Sequence, residues 1–213
     1  ALGLAETDAD AAINRLLEAD ASVRARGLIA VGRAISEREP ELAAEAFSLA
    51  ATAAEAVANE EGQIKSLAQA GEGLLLLGYP GGADVARQAA EIVRASEEDD
   101  WSRLANIAAI ARALALVDVD EAIALVDAIK DIDTENQYRG QRYKVLFQVA
   151  RAVARSDPGR ALEIVDMTEN YHGPRAGHAR LAWEMYEADP ERALEYARGL
   201  DNAVLVSLTI GYL

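Results

Sequence analysis

The chain has 213 residues and a formal net charge of −15, which is length enough for one or two domains with a substantial core. Hydrophobic residues make up 51% of it but aromatic residues only 5%, and its alanine and leucine favour packed helices over sheet. The acidic balance argues against nucleic acid and anionic membranes as partners, the lack of cysteine excludes disulfides and thiolate metal sites, and no apolar run approaches the ~20 residues of a membrane span.

The two ends of the chain carry helix patterns without a partner helix. The opening "ALGLAETDAD" lacks the basic and apolar regions of a signal peptide, so we expect a cytoplasmic protein. Residues 1–7 are typical of the tail of a helix, and the final "DNAVLVSLTIGYL" is typical of a helix without its partner. Because helical arrays normally end in polar capping repeats, we expect either a segment of a longer array or self-association through uncapped ends.

In chain order, six phrases each predict the start of a helix. They read "TDADAAINRLL", "EPELAAEAFSLA", "YPGGADVARQAAEIV", "VDVDEAIALVDAI", "SDPGRALEIVD" and "ADPERALEYAR", and the helices are predicted to start near residues 8, 39, 79, 118, 157 and 189. Asp157 and Asp189 suit the N-cap, where a carboxylate accepts from unpaired backbone N–H groups, and the prolines that follow suit the first helical position. Spacings of 31 to 40 residues are typical of stacked supersecondary units.

Small residues recur at fixed offsets from these starts. Four residues after each start stands an alanine: Ala12, Ala43, Ala83, Ala122, Ala161 and Ala193. Seven residues before it stand Gly32, Ala111, Ala150 and Ala182, with Glu72 as the exception. Stretches such as "SRLANIAAIARALALV" supply a first helix ahead of each second one. We interpret each unit as two helices that approach closely through these small residues.

This pattern resembles the tetratricopeptide-type repeat, and "ALVDVDEAIALVDAI" is the most similar stretch. The spacing of 39 to 40 residues in three units is nearer to HEAT-like repeats. The resemblance implies an all-α fold, an α-solenoid of about five to six antiparallel helical hairpins in a right-handed superhelical stack. It covers residues 1–213 as a single helical-repeat domain and implies an interaction scaffold.

Three motifs are weaker candidates for chemistry. "EEDDW" (97–101) and "DIDTEN" (131–136) contain possible cation ligands, but acidic residues ahead of a helix favour its dipole, and the second motif lacks the glycine and glutamate of a calcium loop. His172 and His178 are six residues apart and do not share a helix face, so they are poor candidates for zinc ligands. We therefore predict no metal, no cofactor and no catalytic residues.

The best candidate site is electrostatic. Residues 134–182 carry 8 basic and 5 acidic residues in an otherwise acidic chain. In "KVLFQVARAVAR" the side chains of Lys144, Gln148, Arg151 and Arg155 share one helix face. The predicted binding face consists of Arg142, Tyr143, Lys144, Arg151 and Arg155. It either binds an acidic partner through charge-assisted hydrogen bonds or is a solvated face paired with nearby carboxylates.

These observations predict a non-enzymatic scaffold that binds a protein or acidic peptide, with neither nucleic acid nor membrane as partner. Two alternatives stay open: a structural segment of a larger assembly, and a small-molecule-binding or enzymatic helical array.

Overall fold

The computed structural model of the chain describes residues 8–96, 100–128, 139–168 and 175–199. Within these ranges the chain forms eleven helices and no strand, which confirms the predicted all-α class. The interpreted chain ends, most of "EEDDW", the whole of "DIDTEN" and His172 lie outside the described residues.

The helices fall into two compact units, residues 1–118 and 119–213. Unit 1 contains α1 (Ala9–Leu17), α2 (Ala21–Ile35), α3 (Pro40–Glu55), α4 (Glu60–Leu76), α5 (Gly82–Ala95) and α6 (Asp100–Leu114). Unit 2 contains α7 (Val119–Asp127), α8 (Arg139–Val153), α9 (Pro158–Asp166), α10 (Arg175–Tyr186) and α11 (Pro190–Gly199).

The repeated Asp-Pro phrase is a helix start, as predicted. Asp157 Oδ1 accepts from the backbone N–H of Arg160 at 2.9 Å, and Asp189 Oδ1 accepts from that of Arg192 at 3.0 Å. Pro158 begins α9 directly after its cap. These carboxylates satisfy backbone donors that have no partner inside the helix, so the phrase recurs because two helices need the same sharp entry.

The fifth helix begins later than the phrase "YPGG" suggests, at Gly82. The preceding helix, α4, ends in a Schellman turn: the N–H of Gly78 donates to Leu75 O and the N–H of Tyr79 donates to Leu74 O, both at 2.9 Å. Gly78 has φ 81°, a conformation that glycine adopts without strain. Tyr79 therefore belongs to the end of α4 rather than to the cap of α5.

In unit 1 neighbouring helices pack along the chain, and alternate helices also meet. α2 packs on α3, α3 on α4 and α4 on α5, while α4 contacts both α2 and α6. The recurrent alanines Ala12, Ala43 and Ala83 are buried. α4 and α5 approach most closely at two glycines, because a Cβ on Gly71 would lie 2.8 Å from Gly82 O and one on Gly82 would lie 2.6 Å from Gly71 O.

In unit 2 the long helix α8 is central. It packs against α7, α9 and α10, and α10 packs on α11. Ala161 and Ala193 are fully buried, as their place in the repeat predicts. Nδ1 of His178 on α10 lies 2.5 Å from the hydroxyl of Tyr196 on α11, and the imidazole ring packs at a tilt against Phe147 of α8. A polar pair therefore joins α10 to α11 beside the core.

No helix in the described part of the chain has the length and apolar character needed to cross a membrane.

Candidate functional site

The predicted binding face lies on α8 and the turn that follows it. Val145, Leu146 and Val149 bury one side of this helix. Lys144 is exposed, and Arg142, Tyr143 and Arg151 are half-buried. Arg155 follows the end of the helix and is exposed. Lys144 and Arg151 therefore share one face of α8, whereas Arg142 precedes Val145, Leu146 and Val149 by three, four and seven residues and shares their face. Arg142, Arg151 and Arg155 each meet a carboxylate.

Arg142 is held by the helix before it. Its Nη2 lies 2.6 Å and its Nε 3.2 Å from Oδ1 of Asp127 at the end of α7, and its side chain is only 14% exposed. The guanidinium also lies over the ring of Tyr143, 5.9 Å from the centroid. These contacts support a role in joining α7 to α8.

Arg151 and Arg155 are held by carboxylates on α10 and directly after it. Arg151 forms a two-point pair with Glu184 of α10, at 2.9 Å and 3.2 Å. Arg180 donates to the same carboxylate at 2.9 Å, and Arg155 lies 3.3 Å from Glu187. Because Glu184 is almost fully buried and two arginines neutralise it, the contact between α8 and α10 is stabilised electrostatically.

Unit 1 contains the same kind of contact between first helices. Arg112 of α6 forms a two-point pair with Glu72 of α4, at 2.5 Å and 2.9 Å, and Arg33 of α2 lies 3.9 Å from Glu72 on its other side. Glu72, the exception among the small residues of the repeat, thus faces arginines from both neighbouring helices. Charges alternate across α2, α4 and α6 at this level.

Two cavities lie along α2 and α4, and we call the surface that carries both of them the groove; the larger of these two lies near the helix starts. This N-terminal cavity has a volume of about 450 Å³ and is lined by Ser22, Arg26, Lys65, Ser66 and Gln69 among others. Arg26 and Lys65 are exposed, and Arg26 Nε donates to Ser22 O at 3.3 Å. Within the described residues neither cation has a carboxylate at ion-pair distance. Unlike the level of Glu72, this level of the groove is therefore positively charged.

The second cavity of the groove, about 330 Å³, lies near the helix ends and shares no lining residue with the first. Arg33, Glu37 and Leu76 line its sides, and Phe47 of α3 forms its floor. Gly73 makes the floor possible, because a Cβ there would lie 2.5 Å from the ring of Phe47. Leu76 is 69% exposed, so this end of the groove offers apolar surface.

Sequence reasoning placed the candidate face on α8 and missed this groove, although the signal is present. The stripe of Lys65, Gln69, Glu72 and Leu76 has the same spacing as that of Lys144, Gln148, Arg151 and Arg155, and lysine and glutamine recur in it. The regional charge count hid the groove, because the N-terminal half of the chain is strongly acidic as a whole.

Comparison with known proteins adds no relative: no family model, curated protein or solved structure matches the chain.

Proposed function

We propose that the chain is a non-enzymatic scaffold of the cytoplasm, a right-handed α-solenoid of about five to six antiparallel hairpins, that binds a protein or a peptide. One observation carries the proposal: inside each unit, the first helix of a hairpin packs on the first helix of the next. This holds for α2, α4 and α6, and again for α8 and α10. Such a row presents side chains at regular intervals, which suits a partner that lies across several helices.

The polar surface of these packed first helices is better suited to binding a peptide than to catalysing a reaction. The groove between α2 and α4 repeats polar side chains at helical spacing along both walls, as in Ser22 and Arg26 or Lys65 and Gln69. An extended chain can contact such a wall at several points, with hydrogen bonds to side chains and pockets for its own side chains.

A second function is favoured by one measurement. A volume of about 450 Å³ for the N-terminal cavity falls in the range of small-molecule sites, roughly 300–1,000 Å³. A small polar anion in this cavity is therefore the competing proposal, and saturable binding of such an anion with no peptide binding would favour it.

Selection from a displayed peptide library tests the scaffold function. The purified chain is used as bait, and enriched peptides are then synthesised and measured by fluorescence anisotropy beside scrambled versions of the same composition. We expect an enriched sequence that binds saturably and loses binding when scrambled. Failure to enrich any sequence, or equal binding of scrambled peptides, contradicts the proposal.

Light scattering over a range of protein concentrations tests the structural alternative. A segment that assembles through its ends forms larger species as its concentration rises, whereas a scaffold that acts alone keeps one mass.

A further inference from the structure

We propose that the groove between α2 and α4 binds an extended acidic peptide, with a carboxylate side chain at Arg26 and Lys65 and an aliphatic side chain on Leu76. The inference rests on the proposed scaffold function and adds to it the place, the chemistry and the spacing of the ligand.

The positive end of the groove is unusual because cations from α2 and α4 line the same cavity. Arg26 and Lys65 occupy corresponding places on α2 and α4 and line one cavity. Their mutual repulsion is unfavourable, and the described residues hold no carboxylate at ion-pair distance from either. Further along the same helices, Glu72 separates Arg33 from Arg112 and removes that repulsion. A bound carboxylate would neutralise Arg26 and Lys65 in the same way that Glu72 neutralises Arg33 and Arg112.

A hydroxyl on the cavity wall can also contact the ligand. Ser66 lines this cavity and is 4% exposed as a whole residue. Its Oγ is not among the buried polar atoms that lack a hydrogen-bond partner, so it can donate to a ligand oxygen that enters the cavity.

One acidic residue, Glu61, also lines the cavity. It belongs to the first turn of α4, where a carboxylate interacts favourably with the helix dipole. With Arg26 and Lys65 against Glu61, the cavity keeps an excess of positive charge in a chain whose net charge is −15. Acidic peptides are repelled by most of this protein, so the cavity is where they can bind.

The apolar end of the groove determines where the ligand's second anchoring side chain must lie and that it should be aliphatic. Leu76 shares a helix face with Lys65 and follows it by three turns, about 16 Å along the axis. An extended peptide rises about 3.3 Å per residue, so residues five positions apart span the two sites. Leu76 is exposed and lines the second cavity together with Phe47, so apolar burial favours an aliphatic side chain of the ligand there.

Two synthetic peptides test the inference directly, Asp-Ser-Gly-Ser-Gly-Leu and its reverse, each amidated at the C terminus and labelled with fluorescein at the N terminus. Amidation removes the terminal carboxylate, so the acidic side chain is the only anion of the peptide itself. We expect one of the two to bind saturably, its affinity to fall as salt is added, and replacement of Asp by Asn to weaken it by roughly fivefold or more.

Charge-reversal variants locate the site. Arg26→Glu and Lys65→Glu should each weaken binding by roughly tenfold or more, and Leu76→Ser should weaken it without changing its salt dependence. Arg94→Glu is the matched control, because Arg94 is an exposed cation on α5 that lines neither cavity, and it should leave the affinity within about twofold. Melting curves of all four variants should match the wild type, since these side chains are exposed.

Failure of the groove and failure of the scaffold give different results. The groove assignment is overturned if neither peptide saturates, or if Lys65→Glu and Arg26→Glu leave the affinity unchanged. If library-selected peptides still bind both variants as tightly as the wild type, the scaffold function stands and its site is elsewhere. If the library yields no peptide at all, the scaffold function fails as well.

Discussion

Arg112 and Glu72 form a two-point ion pair, with Arg112 Nε 2.9 Å from Oε1 and Nη2 2.5 Å from Oε2. Forty residues separate them in sequence, and the pair joins α6 to α4 at the level where Arg33 approaches from α2. Because the Glu72 side chain is only 16% exposed, its carboxylate depends on these arginines for the hydrogen bonds that water would otherwise supply.

Removal of this charge should destabilise unit 1. Glu72→Gln leaves Arg112 and Arg33 without their anion and should lower the free energy of unfolding by about 1–2 kcal/mol. Asp84→Asn is the control, because Asp84 pairs with Arg87 but is 87% exposed, and a change below about 0.5 kcal/mol is expected. Urea denaturation measures both free energies of unfolding. Equal effects of the two substitutions would show that the Arg112–Glu72 pair stabilises the fold no more than the exposed pair does.

The recurrent alanines should reject larger side chains. Ala161 is fully buried on α9, which packs on α8, and Ala161→Leu should cost about 1–3 kcal/mol through overpacking. Ala124 lies exposed on α7, and leucine there should change stability little because the two residues have similar helix propensity. If the Ala161→Leu chain melts with the wild type in thermal scans, these helices do not meet at this alanine.

The Asp-Pro phrase can be tested through its cap. Asp157→Ala removes the acceptor of the Arg160 N–H and should cost about 0.5–2 kcal/mol, whereas Asp157→Asn retains an oxygen acceptor and should cost much less. Chemical denaturation of the two variants separates capping from charge. A loss as large in Asn as in Ala would contradict the capping role.

The packing of Phe47 at the floor of the groove should require a glycine at position 73. A Cβ on Gly73 would lie 2.5 Å from the Phe47 ring, so Gly73→Ala should destabilise by about 1–3 kcal/mol even though alanine is the better helix former. Adding Phe47→Leu should recover part of that loss, because the smaller side chain leaves room for the methyl group. Additive losses in a double-mutant cycle would show that the two positions do not interact.

Alkaline pH should destabilise unit 2 through Tyr196. Burial raises the pKa of its phenol, so the folded chain keeps the proton at pH values where the unfolded chain releases it. This contribution to stability is complete below about pH 10 and is lost as the pH rises through the raised value. Tyr196→Phe should flatten the decline of stability above about pH 10, as measured by denaturant titrations at several pH values. An unchanged decline would assign it to other groups.

How far the sequence predicts the structure depends on whether a feature is local. Asp157 and Pro158 specify their helix start within a few residues, and the structure places them as predicted. Tyr79 was misjudged as a helix start because the positive φ of Gly78 and the turn around it decide where α4 ends, and composition does not reveal φ.

The site was less predictable because it depends on which helices meet. Arg151 and Glu184 lie 33 residues apart, and only the packing of α8 on α10 reveals that the arginine of the predicted face has a partner. Lys65 and Lys144 have similar neighbours in sequence, yet Lys65 borders a cavity with Arg26 across from it. Sequence periodicity predicts which side chains share a helix face, and tertiary packing decides what that face meets.

The contact between Gly71 and Gly82 has a consequence for how this chain can change over evolutionary time. At both positions any side chain would collide with backbone of the facing helix, and backbone cannot move aside as a flexible side chain can. Because glycine is the only residue without a side chain, every substitution at these two sites introduces an atom where the facing backbone already lies. A mutational scan should therefore find the contact between α4 and α5 least replaceable at Gly71 and Gly82.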